Sequence, residues 1–338
     1  MDKIRTVGLD LAKSVLHVVC CDARGKVVRK RRLKRGEVLG FFAQLEPCRV
    51  AMEACAGAHY WGRELAALGF EVKLIPAQYV QAFVRGNKND YNDALAIAEA
   101  AERPQMRFVA LKRAAQQDIQ ALHRLRQGCV ASRTEWGNRL RGLVAEYGLI
   151  APKGLAALRR RIPEWLEDDA NGLSMMFRRL LAQGYAQLQA LDADIAFYDK
   201  ELIRHSRQDE ACQRLQTIPG FGPVVASVFH SRIGQGEAYR RGRDVSASLG
   251  LVPRQHSSGG KDTLLGISKR GDGYLRSLLV HGARAVVRRA ERKTDRLSRW
   301  INRVRAERGY NKAVVALANK LARIGWAVLA RNTVYQAA

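Results

Sequence analysis

Three β-rich runs at the start of the chain, followed by alternating helix and strand, limit the fold more than any other feature of this sequence. Residues 4–9, 14–21 and 26–33 carry the apolar and β-branched character of strands, and the turn Asp22-Ala23-Arg24-Gly25 joins the last two. A helical stretch over 37–45 and a strand over 49–52 come next. They precede a helix over 59–68, a strand over 71–75 stopped by Pro76, and a helix over 91–101 that ends before Pro104. Strands joined by short turns pair antiparallel, whereas strands separated by a helix have the crossover that parallel pairing needs.

That order is the order of a ribonuclease-H-like fold, expected here for residues 1–111. Residues 112–206 predict two long helices. Cys129, Arg133, Trp136, Leu140, Leu143 and Tyr147 recur at steps of four and three, as do Phe177, Leu181, Gly184, Leu188, Leu191, Ile195, Tyr198 and Leu202. A break holding Pro152, Gly154, Pro163 and the acidic run Glu167-Asp168-Asp169 separates them. An antiparallel hairpin and an intermolecular coiled coil both fit, with Gly184 and Arg133 as weak points of the seam. Residues 207–338 predict a mainly helical region, with the turn Ile218-Pro219-Gly220-Phe221-Gly222, a Gly/Ser-rich loop over 253–261, and helices over 274–291 and 311–330. The fold class expected is α/β followed by all-α.

Charge then selects the partner. The chain of 338 residues carries 58 Lys plus Arg against 32 Asp plus Glu, a net charge of +26, yet 47% of it is apolar, enough for packed cores. Residues 211–338 hold 24 basic and 7 acidic groups, a net of +17, against +5 for 1–100 and +4 for 101–210. A polyanion is the natural partner of such a surface, because each neutralised phosphate releases counterions. No apolar run approaches the roughly 18–20 residues of a membrane span, and the N-terminal segment lacks a signal-peptide core. Six cysteines without a CxxC spacing predict free thiols in a reducing cytoplasm. Secreted, membrane-spanning and disulfide-built classes are excluded on this reading.

Three places could carry chemistry. The first is the acidic set Asp10, Glu53, Asp90 and Asp93. Asp10 and Glu53 close two strands, while Asp90 and Asp93 share one face at a helix start. Converging carboxylates repel unless cations neutralise them, which points to two Mg²⁺ ions, with Mn²⁺ as the alternative. Taken singly, Asp10 ends a strand, Asp90 is a helix N-cap and Asp93 favours the dipole. The second is the turn at Gly220 and Gly222, where glycine backbone can face a phosphate as in helix–hairpin–helix elements, or can serve as an ordinary connection packed on Phe221. The third is the pair Ser257 and Ser258 amid Arg254, His256, Lys261, Lys269 and Arg270. A serine there is either a nucleophile flanked by cations or a turn former. Arg276, with the further arginines up to 308, extends the cationic surface.

Five segments occur together in order: Gly8-Leu9-Asp10-Leu11-Ala12-Lys13, Met52-Glu53-Ala54-Cys55, Lys88-Asn89-Asp90-Tyr91-Asn92-Asp93-Ala94, Ile218-Pro219-Gly220-Phe221-Gly222, and Gly250-Leu251-Val252-Pro253-Arg254 followed by Ser258-Gly259. With them the chain resembles, over nearly its full length, transposases of the insertion-sequence family numbered one hundred and ten, which also takes in the Piv/MooV DNA invertases. The resemblance implies a RuvC-like domain with a DEDD set at Asp10, Glu53, Asp90 and Asp93, a coiled coil over 112–206, and a transposase domain over 207–338. It also implies a reactive serine directly before a glycine, which selects Ser258, with Ser257 as competitor. Family members cut and rejoin DNA under the guidance of a structured noncoding RNA, the bridge RNA, whose loops pair with target and donor DNA. Target DNA, donor DNA, that RNA and further copies of the chain, as a dimer or tetramer, are therefore the expected partners, with no membrane, in the cytoplasm at the nucleoid. The expected reaction runs through a covalent phosphoserine at a site that could be assembled between protomers. A metal-dependent nuclease of the junction-resolvase type, using water, and a non-catalytic nucleic-acid-binding protein are the two competing expectations.

Overall fold

The computed structural model describes residues 3–85 and 89–337, so Lys88 lies outside the described residues. The chain divides into two compact units, Met1–Ala115 and Gln116–Ala338.

The first unit runs β1 (Thr6–Leu11), β2 (Val15–Cys21), β3 (Val27–Lys34), α1 (Val38–Phe42), β4 (Arg49–Glu53), α2 (Ala58–Ala67), β5 (Glu71–Ile75), α3 (Ala77–Val80) and α4 (Asp90–Ala101). Its sheet has the order β3-β2-β1-β4-β5, with β3, β2 and β1 antiparallel and β1, β4 and β5 parallel. Asp22 shapes the β2–β3 turn, its Oδ1 accepting from the N–H groups of Arg24 and Lys26 at 2.9 Å each. The edge strand β3 exposes Arg29, Lys30, Arg31 and Arg32, which discourages another strand from pairing with it. The helix expected over 37–45 is only one turn long, a 3₁₀ turn leading into α1.

Strand alternation divides the side chains between two faces. Val7, Leu9, Leu16, Val18, Val50 and Met52 pack with Phe42, Trp61 and Leu65 from α1 and α2. Ala51, Val19 and Cys21 face the other way, toward the alanine-rich side of α4. Gly8 shares that second face, and a Cβ there would overlap the carbonyl oxygen of Ala94. The missing side chain therefore lets α4 lie directly on β1.

The second unit contains α5 (Ala114–Ala145, entering it at Gln116), α6 (Leu155–Glu167), α7 (Met175–Gln208), α8 (Glu210–Gln216), α9 (Pro223–Ile233), α10 (Gly242–Ser248), β6 (Pro253–Ser258), β7 (Lys261–Ile267), α11 (Gly273–Ala290), α12 (Arg296–Arg308) and α13 (Tyr310–Ala330). Helices α5 and α7 pack antiparallel, with Arg126 on Asp199 at 2.5 Å, Arg133 on Asp192 at 3.1 Å and Trp136 Nε1 donating to the Gly184 carbonyl at 2.7 Å. Arg133 and Gly184, expected as weak points, are thus contacts of this pair. A Cβ on Gly184 would stand 2.6 Å from Leu140 Cδ2, so glycine sets how closely the helices approach. At the far end the steps of four and three overshoot the contact, and Leu143 is 47% exposed.

The expected break between the long helices is itself a helix, α6, with Pro163 inside it. Proline removes one backbone donor there. Leu158, Ile162 and Trp165 offset that loss by packing on Leu140 and Leu181. Helix α13 is long and apolar enough to cross a membrane, although Lys312, Lys320 and Arg323 interrupt its apolar run. Half of its most apolar window is buried, and Val314, Leu317 and Leu321 share a core with Phe221, Phe229, Leu275 and Leu279. Its hydropathy is that of a core helix. All six cysteines are free.

Candidate active site and nucleic-acid interface

Asp10 follows Gly8 by two residues on β1 and so projects from the face on which α4 lies. Glu53 follows Ala51 on β4 in the same way. The β1–β4 register pairs Gly8 with Ala51 and Leu9 with Met52, and one further step sets Asp10 beside Glu53. On α4, Asn89 is the N-cap, its side chain accepting from the Tyr91 N–H at 2.9 Å, so Asp90 opens the helix rather than capping it. Asp93 lies one turn on.

Asp10 is the carboxylate that feels the others. Burial raises the Asp10 carboxyl above the usual carboxylate range, and Asp93, Asp90 and Glu53 push it further up against the opposing pull of His17. His17, which sequence reasoning passed over as one more residue of an apolar strand, is the cross-strand partner of Asp10 on β2. Its Nδ1 lies 3.4 Å from Asp90 Oδ2, and ligand atoms of Asp10, His17 and Asp90 all lie within 4.8 Å of one another. That Nδ1 is buried with no hydrogen-bond partner among the described residues. Clustered carboxylate oxygens and a nitrogen that faces Asp90 without hydrogen-bonding to it make a donor set that fits a divalent cation.

In the second unit, the residues expected as a flexible Gly/Ser loop form a β-hairpin. β6 and β7 pair antiparallel, Ser258 opposite Lys261, across Gly259 and Gly260 with φ of +57° and +77°. Two successive positive φ values in a two-residue hairpin turn are what glycine supplies without strain. The serines differ. Ser257 Oγ donates to Asp262 Oδ1 at 2.6 Å and accepts from Gln255 Nε2 at 2.7 Å. Ser258 has no side-chain hydrogen bond among the described residues, and it is exposed at the tip beside Lys261. Arg254, Lys269 and Arg270 are exposed as well.

The other expected contact residues divide. Gly220 adopts φ +89° and turns toward α11, where a Cβ would stand 2.9 Å from the Gly282 carbonyl oxygen. Phe221, between the two glycines, is buried against Phe229. Gly222 precedes Pro223 at the α9 N-terminus on an open side. Arg276 donates through Nη1 to the carbonyls of Leu249 and Arg270, each at 3.0 Å, and so ties the 269–271 loop to the end of α10. A 1410 Å³ cleft that no sequence pattern marks lies between this hairpin and the α12–α13 helices. Arg241, Arg243, Lys312, Lys320 and Arg323 line it, together with Trp300, over whose ring Lys320 Nζ sits at 4.4 Å. Its cations come from two well-separated stretches of sequence, so no single local run of charge marks them.

Carboxylates at the strand ends of one unit and strong basic charge in the other suit a DNA-processing enzyme, and the comparisons define the class as transposases. Residues 7–149 match the family described as Transposase, of the DEDD IS110 type, and residues 212–298 match the Transposase IS116/IS110/IS902 family. A Pseudomonas aeruginosa protein described as "Probable family 20 transposase" is 48% identical over 331 residues, 98% of each chain. The transposase for insertion sequence element IS1111A of Coxiella burnetii is 45% identical over 99% of this chain and 92% of its own. That for element IS1328 of Yersinia enterocolitica is 42% identical over 99% of both. The chain belongs to the IS110 family of insertion-sequence transposases, enzymes that cleave and rejoin DNA.

Proposed function

We propose that this transposase exchanges DNA strands through a covalent phosphoserine at Ser258, with the scissile phosphate held at Asp10, Glu53, Asp90 and Asp93, and that a structured noncoding RNA selects the DNA. The observation that carries the proposal is the contrast between the two serines. Ser257 is held by Asp262 and Gln255, whereas Ser258, without a side-chain hydrogen bond among the described residues, stands at a hairpin tip opposite Lys261. The sheet order β3-β2-β1-β4-β5 supports a ribonuclease-H-like reading of the first unit.

A divalent ion, Mg²⁺ in this reading, would be held by the four carboxylates and would polarise the phosphate. Ser258 Oγ attacks phosphorus, the P–O bond to the DNA hydroxyl breaks, and the hydroxyl leaves with a proton while the serine loses its own. Lys261, opposite Ser258, would offset the charge that grows on the phosphate oxygens, while Arg254, Lys269 and Arg270, toward the base of the hairpin, would bind the nucleic acid further along. Attack by a second DNA hydroxyl reverses the exchange of bonds and frees the serine. The ester conserves the bond energy, so rejoining needs no nucleotide cofactor. The net charge of +26 supports a protein holding both DNA and RNA. We assign 1–111 to the carboxylate domain, 112–206 to a helical segment mediating self-association, and 207–338 to the serine domain. The setting is the cytoplasm, at the nucleoid.

The test is strand exchange between labelled target and donor duplexes, using protein co-expressed with the noncoding DNA that flanks its gene. Exchange lost in Ser258→Ala, kept in Ser257→Ala and dependent on the co-expressed RNA supports the reading. Hydrolysed ends in place of exchange, abolished only by Asp10→Asn, would assign the chain to the water-using nuclease class.

A further inference from the structure

Four carboxylates account for a divalent ion, but they do not account for His17. Its strand, VLHVVCC, is buried along nearly its whole length, and His17 is itself 8% exposed. A polar side chain in such a place is expected to have a partner. Instead its Nδ1 is buried and unbonded, and it is aimed at the acidic cluster. The 3.4 Å to Asp90 Oδ2 does not form a hydrogen bond. It is close to the spacing of two neighbouring donors on one ion, about 3 Å when each bond is roughly 2.1 Å. Asp10 lies directly across the strand pair, and the Tyr91 ring holds the imidazole edge-on with centroids 4.9 Å apart.

We infer that His17 is a nitrogen ligand of the carboxylate metal site and biases this transposase toward a first-row transition-metal dication such as Mn²⁺ over Mg²⁺. The inference rests on the reading that Asp10, Glu53, Asp90 and Asp93 hold a divalent ion. Mg²⁺ is satisfied by oxygen donors and gains little from imidazole, whereas transition metals accept nitrogen readily. A site with four carboxylates alone would take either ion, so the added nitrogen sets the preference.

The test uses the purified full-length protein and Mn²⁺ as the probe. Free Mn²⁺ is counted by electron paramagnetic resonance, and bound Mn²⁺ is examined by pulsed spectroscopy for ¹⁴N coupling. The wild type is expected to show directly coordinated nitrogen, and His17→Gln and His17→Asn to lose it. Mn²⁺ affinity should fall about tenfold in both variants, with a smaller change in Mg²⁺ affinity measured by competition. Mn²⁺ that binds and is released by Asp10→Asn, yet shows no nitrogen coupling in the wild type, overturns the role of His17 alone. Binding that Asp10→Asn leaves intact overturns the carboxylate reading beneath it. The wild-type spectrum decides the question even where a variant fails to fold.

Discussion

At Asp10 and Ser258 the surroundings, more than the side chain itself, set the chemistry: Asp10 sits among carboxylates and Ser258 at the tip of a hairpin opposite Lys261. Neither is informative alone: a serine before Gly-Gly is ordinary turn chemistry, and an aspartate after an apolar strand is an ordinary strand end. Asp10 gains meaning from Glu53, Asp90 and Asp93, whose places at strand and helix ends are readable from periodicity. His17 has no such signal, because a lone histidine in an apolar run reads as core. Burial and three neighbouring carboxylates raise the Asp10 carboxyl, so its ionised form costs stability, and that cost grows as pH rises through the elevated value. In EDTA at neutral pH, Asp10→Asn should therefore melt at a higher temperature than the wild type. Adding Mg²⁺ should stabilise the wild type and leave the variant unmoved, as read by differential scanning fluorimetry.

Among elements, the seating of α4 on β1 through Gly8 positions the acidic cluster. Gly8→Ala would drive a methyl into the Ala94 carbonyl, a backbone atom that cannot move without the helix. Overpacking of this kind costs about 1–3 kcal/mol. The variant should melt lower and lose strand exchange, whereas an alanine at Gly36, with nothing near its Cβ position, should keep exchange. The strands and helices of the first unit were legible because alternation and 3.6-residue periodicity are local. Helix α6 was not, because Pro163 and the surrounding turn residues outweigh its amphipathic face until Leu140 and Leu181 are there to receive it.

The α5–α9–α11 junction gives a second element-level test. His123 is buried, with Nε2 3.0 Å from Ser227 Oγ and Nδ1 3.2 Å from the Tyr274 hydroxyl. Burial, aided by Arg126 and Arg232, lowers its pKa from 6.5 to about 4. The neutral ring is the folded form, so its contribution is complete above pH 6.5 and is lost as pH falls toward 4. The gap corresponds to about 3 kcal/mol at most. Melting temperature should drop across that window in the wild type, and His123→Gln should flatten the drop.

The whole molecule is a polyelectrolyte binder as well as an enzyme. Its excess charge was plain in the composition, but its arrangement was not: the cleft draws Arg241 and Arg243 from one stretch and Lys312, Lys320 and Arg323 from another. Replacing Lys312, Lys320 and Arg323 together with glutamine should reduce the steepness of log affinity against log salt by about two to three. Arg276→Gln, whose guanidinium bonds backbone carbonyls, should lower the melting temperature and leave that slope nearly unchanged.

A serine–DNA ester at Ser258 can be caught by trapping the reaction, denaturing it, digesting the protein and weighing the peptides. A nucleotide is expected on the peptide carrying Ser258, absent from Ser258→Ala and from Asp10→Asn. Cleaved DNA with unmodified peptides throughout, or a nucleotide on Ser257 that survives in Ser258→Ala, would contradict it.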